Sequence, residues 1–219
     1  MLRPLHIALL LLVLPAFLYS QENSKQPTVT FTLDFPGSQP AHYSVQVQGD
    51  GRAQYQSGDH RSSDLEPDDD FNYAFALSPS TRDRIFELAA KARYFQTDLD
   101  SHRKKMAFTG NKTLAYKDGQ RHGESTFNYS SDSTVQELTS LFQNLAATLE
   151  LGHRLEFSLR YQKLALAEEL KRTEESARMN PPMEIQAIAP ILHRIVADSS
   201  VLNVTRARAQ RLLQLPQGK

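Results

Sequence analysis

The sequence has no cysteine. A chain without cysteine cannot form a disulfide, a thiolate nucleophile or a cysteine metal site, and no cysteine can carry a lipid after an N-terminal leader. Small secreted eukaryotic domains commonly use disulfides to compensate for small cores, so their absence is more typical of a bacterial envelope protein. Several classes of enzyme and metal site are thereby excluded.

An excess of charge of either sign is also missing. The chain has 25 Lys plus Arg and 25 Asp plus Glu, which gives a formal net charge of zero. Cations and anions are interspersed along the sequence, whereas nucleic acids and anionic membranes attract clustered Lys and Arg. We therefore expect neither of these partners, and instead expect a protein or another envelope component.

Long apolar runs are confined to the N-terminus. Met1–Ser20 places Arg3 ahead of an unbroken apolar segment, Ile7–Leu14, which is followed by Pro15 and small residues. This order is typical of a secretory leader, whose core of about ten residues is too short to span a bilayer. We expect cleavage near Ser20, which leaves a secreted or periplasmic chain without a membrane span.

The segment after the leader alternates between strand and helix patterns. Period-two alternation of apolar and polar residues predicts strands at Thr28–Phe35, Tyr43–Gln48, Ala53–Tyr55, Phe71–Leu77, Met106–Phe108, Thr113–Tyr116 and Ser125–Tyr129. Hairpin turns are predicted at Gly49-Asp50-Gly51 and Asp118-Gly119, because glycine tolerates the positive φ values that tight primed turns require.

Two helices are predicted among these strands. The first begins at Ser78-Pro79-Ser80, where a hydroxyl can cap the free amides, and continues to about Tyr94. The second begins at Ser131 and Asp132 and carries apolar residues at helical spacing as far as Leu149. The predicted fold of residues 21–150 is therefore an α+β domain, in which a small antiparallel sheet of hairpins packs against two helices.

The composition changes after Gly152. His153–Arg178 is predicted to be one long charged helix ended by Asn180-Pro181-Pro182, and it is followed by helices at Glu184–Val196, bent or broken at Pro190, and at Leu202–Leu215. Residues 151–219 are thus predicted to form a C-terminal helical hairpin or bundle.

This tail has a narrow apolar seam, formed by Leu155, Leu159, Leu166, Leu170, Ile185, Ile188, Ile191, Leu192 and Ile195. Two interpretations of the seam are open. It can pack within the chain, or it can form a partner-binding groove or a dimer contact.

The first hairpin carries a resemblance. Tyr43–Gly51, with Tyr55 beyond it and a helix near Thr81–Tyr94, resembles a group of uncharacterised secreted bacterial α+β domains, in which a Tyr-x-Val-x-Ile-x-Gly-Asp-Gly hairpin precedes a short helix and a second hairpin. The similarity covers Thr28–Leu149. Cysteines often precede the first hairpin strand in that group, and Pro36–His42 has none. The resemblance implies an α+β fold and an envelope location, but no activity, because none is established for the group.

Three places could carry chemistry. The acidic loop Asp64–Asp70 could bind a cation such as Ca²⁺, but a glycine at its turn and a glutamate at its twelfth position are missing, so a solvated loop is the alternative. His60 lies near this loop and His102 lies near Asp98 and Asp100, so either could complete a site through folding, with an ordinary surface histidine as the alternative for each. Ser38 follows a glycine, but no Gly-x-Ser-x-Gly motif surrounds it, and a turn-forming serine is the alternative.

No catalytic, cofactor-binding or metal-ligating residue is assigned from these signals. The histidines are dispersed and none forms the i, i+4 pair of a zinc protease, and no phosphate-binding or dinucleotide-binding loop is present. The sequence therefore favours a non-catalytic binding or structural protein of unknown ligand. An envelope hydrolase with a site assembled from dispersed His, Asp and Ser residues is the alternative.

Overall fold

The computed structural model describes residues 26–58, 71–177, 179 and 184–215. In these ranges the chain forms an α+β fold, as predicted, with an antiparallel sheet in the order β4-β3-β2-β1-β5-β6. The strands are β1 Thr28–Asp34, β2 His42–Gln48, β3 Arg52–Gly58, β4 Phe71–Ala76, β5 Asn111–Lys117 and β6 His122–Phe127. The helices are α1 Pro79–Lys91, α2 Ser133–Tyr161, α3 Lys163–Ala177, α4 Ala189–Ala197 and α5 Asn203–Leu213.

Three sequence-based predictions lie outside the described residues. They are the leader Met1–Ser20, the acidic loop Asp64–Asp70 with His60, and the helix stop at Asn180-Pro181-Pro182. Among the helices that the structure describes, none is both long enough and apolar enough to cross a membrane.

The two faces of the sheet differ because side chains alternate along each strand. One face is apolar and buried, and its centre is formed by Phe31 on β1, whose ring stacks on Phe142 of α2 with centroids 5.3 Å apart. The other face carries mainly Thr, Ser, Gln and Asn side chains. The helices therefore cover one side of the sheet only.

The predicted hairpins are confirmed, but the first turn has its positive φ at a different residue from the one predicted. The Gly51 amide donates to the Gln48 carbonyl over 2.9 Å, so Gly49 and Asp50 are the central residues of the turn. The positive φ (+89°) is at Gly51, which follows them, and not at the central residues as predicted. The second hairpin turns at Asp118, whose amide donates to the Arg121 carbonyl.

Helix α1 begins as predicted and is also bound by the tail. The Ser78 hydroxyl accepts from the Thr81 amide, and Pro79 occupies the first turn of the helix. The buried carboxylate of Glu184 accepts from the Ser78 amide at 3.0 Å, from the Ser78 hydroxyl at 2.6 Å and from the Thr81 hydroxyl. This carboxylate joins the segment before α4 to the free amide end of α1, where a negative charge is favourable.

The predicted helix His153–Arg178 is wrong as a single element. Helix α2 continues through Gly152 to Tyr161, and α3 begins at Lys163 after one non-helical residue, Gln162 (φ −144°, ψ 67°). The proposed boundary at residue 150 therefore falls inside α2, although the division into 21–150 and 151–219 stays a prediction. Gly152 is a position of close approach, since a Cβ there would lie 2.5 Å from Ile188 Cγ2.

The apolar seam of the tail packs within the chain. All nine of its residues are buried in the same core as the inner face of the sheet. The interpretation as internal packing is confirmed for these residues, although Ile188 and Ile191 also reach the wall of a cleft. The predicted break near Pro190 is also confirmed, because a 3₁₀ turn over Ile185–Ile188 precedes α4.

The predicted strand at Met106–Phe108 is wrong. This segment belongs to an irregular loop, and the carbonyls at its end are bound by an ammonium group instead of a neighbouring strand. Lys112 is only 6% exposed, and its Nζ donates to the carbonyls of Thr109, Gly110 and Asn128 over 2.9 to 3.1 Å. The Thr109 hydroxyl is a fourth acceptor at 3.0 Å, and burial lowers the pKa of Lys112.

Replacing Gly152 tests the close contact between α2 and Ile188. Alanine normally stabilises a helix interior relative to glycine by about 0.5 to 1 kcal/mol. Here we expect Gly152→Ala to lower the free energy of unfolding by about 1 to 3 kcal/mol, because the added Cβ overpacks the contact. Urea unfolding measures the change, with Asn144→Ala at an exposed α2 position as the control. A more stable Gly152→Ala protein would contradict the contact.

Candidate functional site

The structure brings His102 together with Asp98 and Asp100, as the sequence suggested. His102 Nε2 lies 2.6 Å from Asp98 Oδ2, and Nδ1 lies 3.8 Å from Asp100 Oδ1. The contact with Asp98 raises the pKa of His102, and the Asp100 amide, followed by His102, lowers the pKa of Asp98. Because the side chains of His102 and Asp98 are well exposed, these contacts organise a surface loop.

The other candidates have structural roles or lie elsewhere. The Ser38 hydroxyl lies 2.8 Å from each of the carbonyls of Phe35 and Pro40 and can donate to either one, which is the role of a turn-forming serine. His42 contacts Asp34 across the β1–β2 pair. In the described part of the chain, no group of three His, Asp or Glu side chains is arranged to hold a metal ion.

A cleft of about 260 Å³ lies at the β4 edge of the sheet, between β4, α2 and α4. We call it the β4–α2–α4 cleft. Its walls are mainly apolar and come from three parts of the sequence: Phe71 and Tyr73 on β4, Leu149 and Gly152 on α2, and Ile188, Pro190 and Ile191 around the start of α4. Its volume is slightly below the roughly 300 to 1,000 Å³ typical of small-molecule sites.

Aromatic contacts fix one wall of the cleft. The Phe71 ring stacks on the His153 imidazole, with centroids 4.1 Å apart and planes within 4° of parallel. The Tyr73 hydroxyl donates to the Ala187 carbonyl over 2.7 Å. This hydrogen bond fixes the hydroxyl end of the ring, and β4 fixes the other end. Burial, with a smaller effect of the Glu156 charge, raises the pKa of Tyr73. This wall is therefore shaped without a ligand.

The rim of the cleft carries an ion pair. Arg194 Nη1 donates to both carboxylate oxygens of Glu156, over 2.6 and 2.7 Å. The Nε and Nη2 groups of Arg194 have no hydrogen-bond acceptor among the described residues, so the guanidinium retains donors for a ligand. Beyond the rim, Phe157 and Tyr161 continue an exposed apolar line along α2, with ring centroids 5.1 Å apart.

A polar network adjoins the cleft at His153 and joins the sheet to α2. Glu150 Oε1 accepts from the Tyr55 hydroxyl at 2.6 Å and the Ser57 hydroxyl at 2.7 Å, and His153 Nδ1 lies 3.9 Å from Oε2. Burial acts to raise the pKa of Glu150, but the contacts with His153, Tyr55 and Ser57 outweigh it and leave this pKa lowered. Burial and the Glu150 contact also raise the pKa of Tyr55.

Ser57, His153 and Glu150 are the residue types of a hydrolase triad, but they are connected differently. In a triad the serine donates to the histidine, which the carboxylate orients. Here the Ser57 hydroxyl donates to Glu150 itself, and Ser57 is buried in the sheet. The serine therefore has no imidazole base, and the geometry describes an anchored carboxylate.

A second hollow, of about 390 Å³, lies on the polar face of the sheet. Side chains of β1, β2, β5 and β6 line it, including Thr28, Thr30, Gln46, Gln48 and Lys117. Such a polar face is the normal solvated side of an antiparallel sheet. We therefore take the β4–α2–α4 cleft, which has apolar walls open to solvent, as the candidate site.

Sequence reasoning missed this cleft. Its residues are separated by more than 100 positions, and each belongs to a pattern that strand alternation or helix periodicity already explains. The available signals were the aromatics at alternate positions of β4 and Gly152 within an apolar helix face. Neither signal shows that α4 stops short of covering β4.

No protein-family model matches the chain, and no curated protein matches it in sequence. The function must therefore be argued from the geometry of the site.

Replacing Glu150 tests the network through the pH dependence of stability. Because the folded-state pKa lies below the ordinary 4.5, the ionised carboxylate stabilises the fold above pH 4.5, and this is lost as the pH falls through the folded-state pKa. We expect Glu150→Gln to lower the free energy of unfolding by about 1 to 2 kcal/mol at pH 7, and by less in acid.

Urea unfolding between pH 3 and pH 7 measures this difference. Glu168→Gln, at an exposed position of α3, is the matched control and should give a small difference at every pH. If the Glu150→Gln difference is independent of pH, the carboxylate is not stabilised by the network.

Proposed function

We propose that this protein is a non-catalytic binding protein that acts outside the cytoplasm, and that the β4–α2–α4 cleft holds the apolar part of its ligand. The observation that carries the proposal is an open cleft with apolar walls whose polar neighbours already have partners. Glu150 accepts from two hydroxyls, Glu156 accepts from Arg194, and Tyr73 donates to a backbone carbonyl. A site of this kind offers burial to a ligand and no activated nucleophile.

The chemistry of the rim favours an anionic head group on that ligand. Arg194 uses Nη1 for Glu156 and has donors left, and Arg160 Nη2 lies 3.8 Å from the same carboxylate. Two guanidinium groups thus lie near the one carboxylate of the rim, Glu156. An amphiphile with a short acyl chain and a carboxylate would bury its chain between Tyr73 and Ile191 and place its head near Arg194.

The location rests on the sequence. The N-terminal leader supports export, and the absence of cysteine suits a bacterial envelope protein. The resemblance of the first hairpin to uncharacterised secreted bacterial domains supports the same location. We propose a secreted or periplasmic protein on these grounds.

Binding of decanoate and 1-decanol tests the cleft. We expect both compounds to raise the melting temperature of residues 21–219, because a ligand that binds only the folded state stabilises it. Decanoate should bind more tightly, and Arg194→Gln should remove that preference. Ile191→Phe fills the cleft and should weaken both ligands at least about tenfold, since burying the chain is the main contribution.

Two controls separate the cleft from unspecific apolar association. Leu164→Ser removes a side chain that is 82% exposed and outside the cleft, and should leave both affinities unchanged. Ile191→Val keeps the cleft open and should retain binding. If neither compound binds, or if Ile191→Phe binds both as well as the unchanged protein does, the proposed site is wrong.

A further inference from the structure

The loop between α1 and β5 exposes apolar side chains in an unusual way. Residues 102–109 are all exposed, eight in succession, and we call this segment the 102–109 loop. Within it Met106 is 42% exposed and Phe108 is 54% exposed. The Phe108 ring meets the Phe35 ring edge-on, at 83° with centroids 5.8 Å apart. Met106 and Phe108 thus leave much of their apolar surface exposed to solvent.

Three consecutive cations precede these side chains. Arg103 lies over the Tyr129 ring at 5.8 Å, and Lys104 and Lys105 form no ion pair with any described residue. The nearest acidic side chains in the sequence, Asp98 and Asp100, are already bound. Asp98 contacts the His102 ring, and Asp100 accepts from the amides of His102 and Asn128. No described acidic side chain forms an ion pair with Lys104 or Lys105, so the loop presents these cations beside exposed apolar groups.

The loop is also held in place from below. Asn128 Oδ1 accepts from the Thr109 amide over 2.8 Å, and its Nδ2 donates to the Ala107 carbonyl over 3.0 Å. The Lys112 ammonium binds the carbonyls of Thr109 and Gly110. These bonds fix the backbone that presents the apolar side chains, so little order has to be gained when the loop meets a partner.

We propose that the 102–109 loop docks the protein on anionic lipid bilayers, with its two apolar side chains in the interface and its three cations among the head groups. Charge complementarity requires an anionic partner. Residues 102–109 line neither the cleft nor the hollow described above, which could seat an acidic peptide, whereas the interfacial region of a bilayer deforms around inserted side chains. Two apolar side chains and three cations give weak, reversible binding, which is the expected behaviour of a peripheral contact.

This proposal departs from an expectation drawn from whole-chain composition. A net charge of zero predicted no attraction to anionic membranes, but the average conceals Arg103, Lys104 and Lys105 in one exposed segment. The loop is separate from the β4–α2–α4 cleft, so the two proposals can fail independently.

A unique tryptophan makes insertion directly observable. The chain has no tryptophan, so Phe108→Trp introduces the only one. Residues 21–219 contain every described residue and serve as the protein. We expect a blue shift of the fluorescence, and quenching by brominated acyl chains, with phosphatidylcholine vesicles that contain phosphatidylglycerol. Pure phosphatidylcholine vesicles should give neither change, and added salt should weaken the binding.

Matched variants separate the loop from the rest of the surface. Lys104→Glu with Lys105→Glu should weaken vesicle binding at least about tenfold. Lys171→Glu with Arg172→Glu reverses two adjacent exposed cations of α3 and should change it little. Met106→Ser should weaken binding, while Leu164→Ser should not. Thermal unfolding establishes that each variant is folded.

Three outcomes would overturn the proposal. The first is equal binding to neutral and anionic vesicles. The second is equal loss of binding in the α3 charge reversal. The third is tight binding of soluble polyglutamate that competes with vesicles while the indole of the Phe108→Trp variant remains in water, which would identify an acidic polymer as the partner.

Discussion

The positions of the sheet and of the C-terminal helices both depend on α2, because each of them packs on one half of this helix. The first half of α2 packs on the sheet, where Phe142 stacks on Phe31, and the second half packs on the helices of the tail. Gly152 stands where the two halves meet and lets Ile188 approach the helix backbone. The cleft is a product of this geometry, because α4 docks against α2 at that point and leaves part of β4 uncovered.

Two carboxylates hold the layers in register around that helix. Glu150 ties α2 to β3 through the Tyr55 and Ser57 hydroxyls, and Glu184 ties the segment before α4 to the start of α1. Both are hydrogen-bonded over short distances, as a carboxylate removed from water requires. These two carboxylates are therefore committed to structure, and the walls of the cleft beside them are mainly apolar.

Local patterns predicted the elements well, since alternation and helix periodicity are set by which face each residue buries. The burial of Val45 and Val47 in a strand, and of Leu138 and Leu145 in a helix, can be predicted from their spacing alone. The end of α2 could not be predicted, because glycine usually weakens a helix and Gly152 is here a contact residue. Met106–Phe108 alternates like a strand, but the backbone carbonyls that follow it accept hydrogen bonds from the Lys112 ammonium instead of from a neighbouring strand. The cleft was missed because it depends on how far α4 covers β4, which no short segment of sequence contains.

Lys112 gives the 102–109 loop a property that ordinary ion-binding loops lack. In many proteins a cluster of oxygen atoms that includes backbone carbonyls coordinates a calcium ion, which exchanges with the surrounding solution. Here the counter-ion is a side chain of the same polypeptide, with four oxygen acceptors within 3.1 Å. Neither a chelator nor a change in the concentration of free ions can remove this cation. The end of this loop is therefore held by a cation that cannot leave the protein.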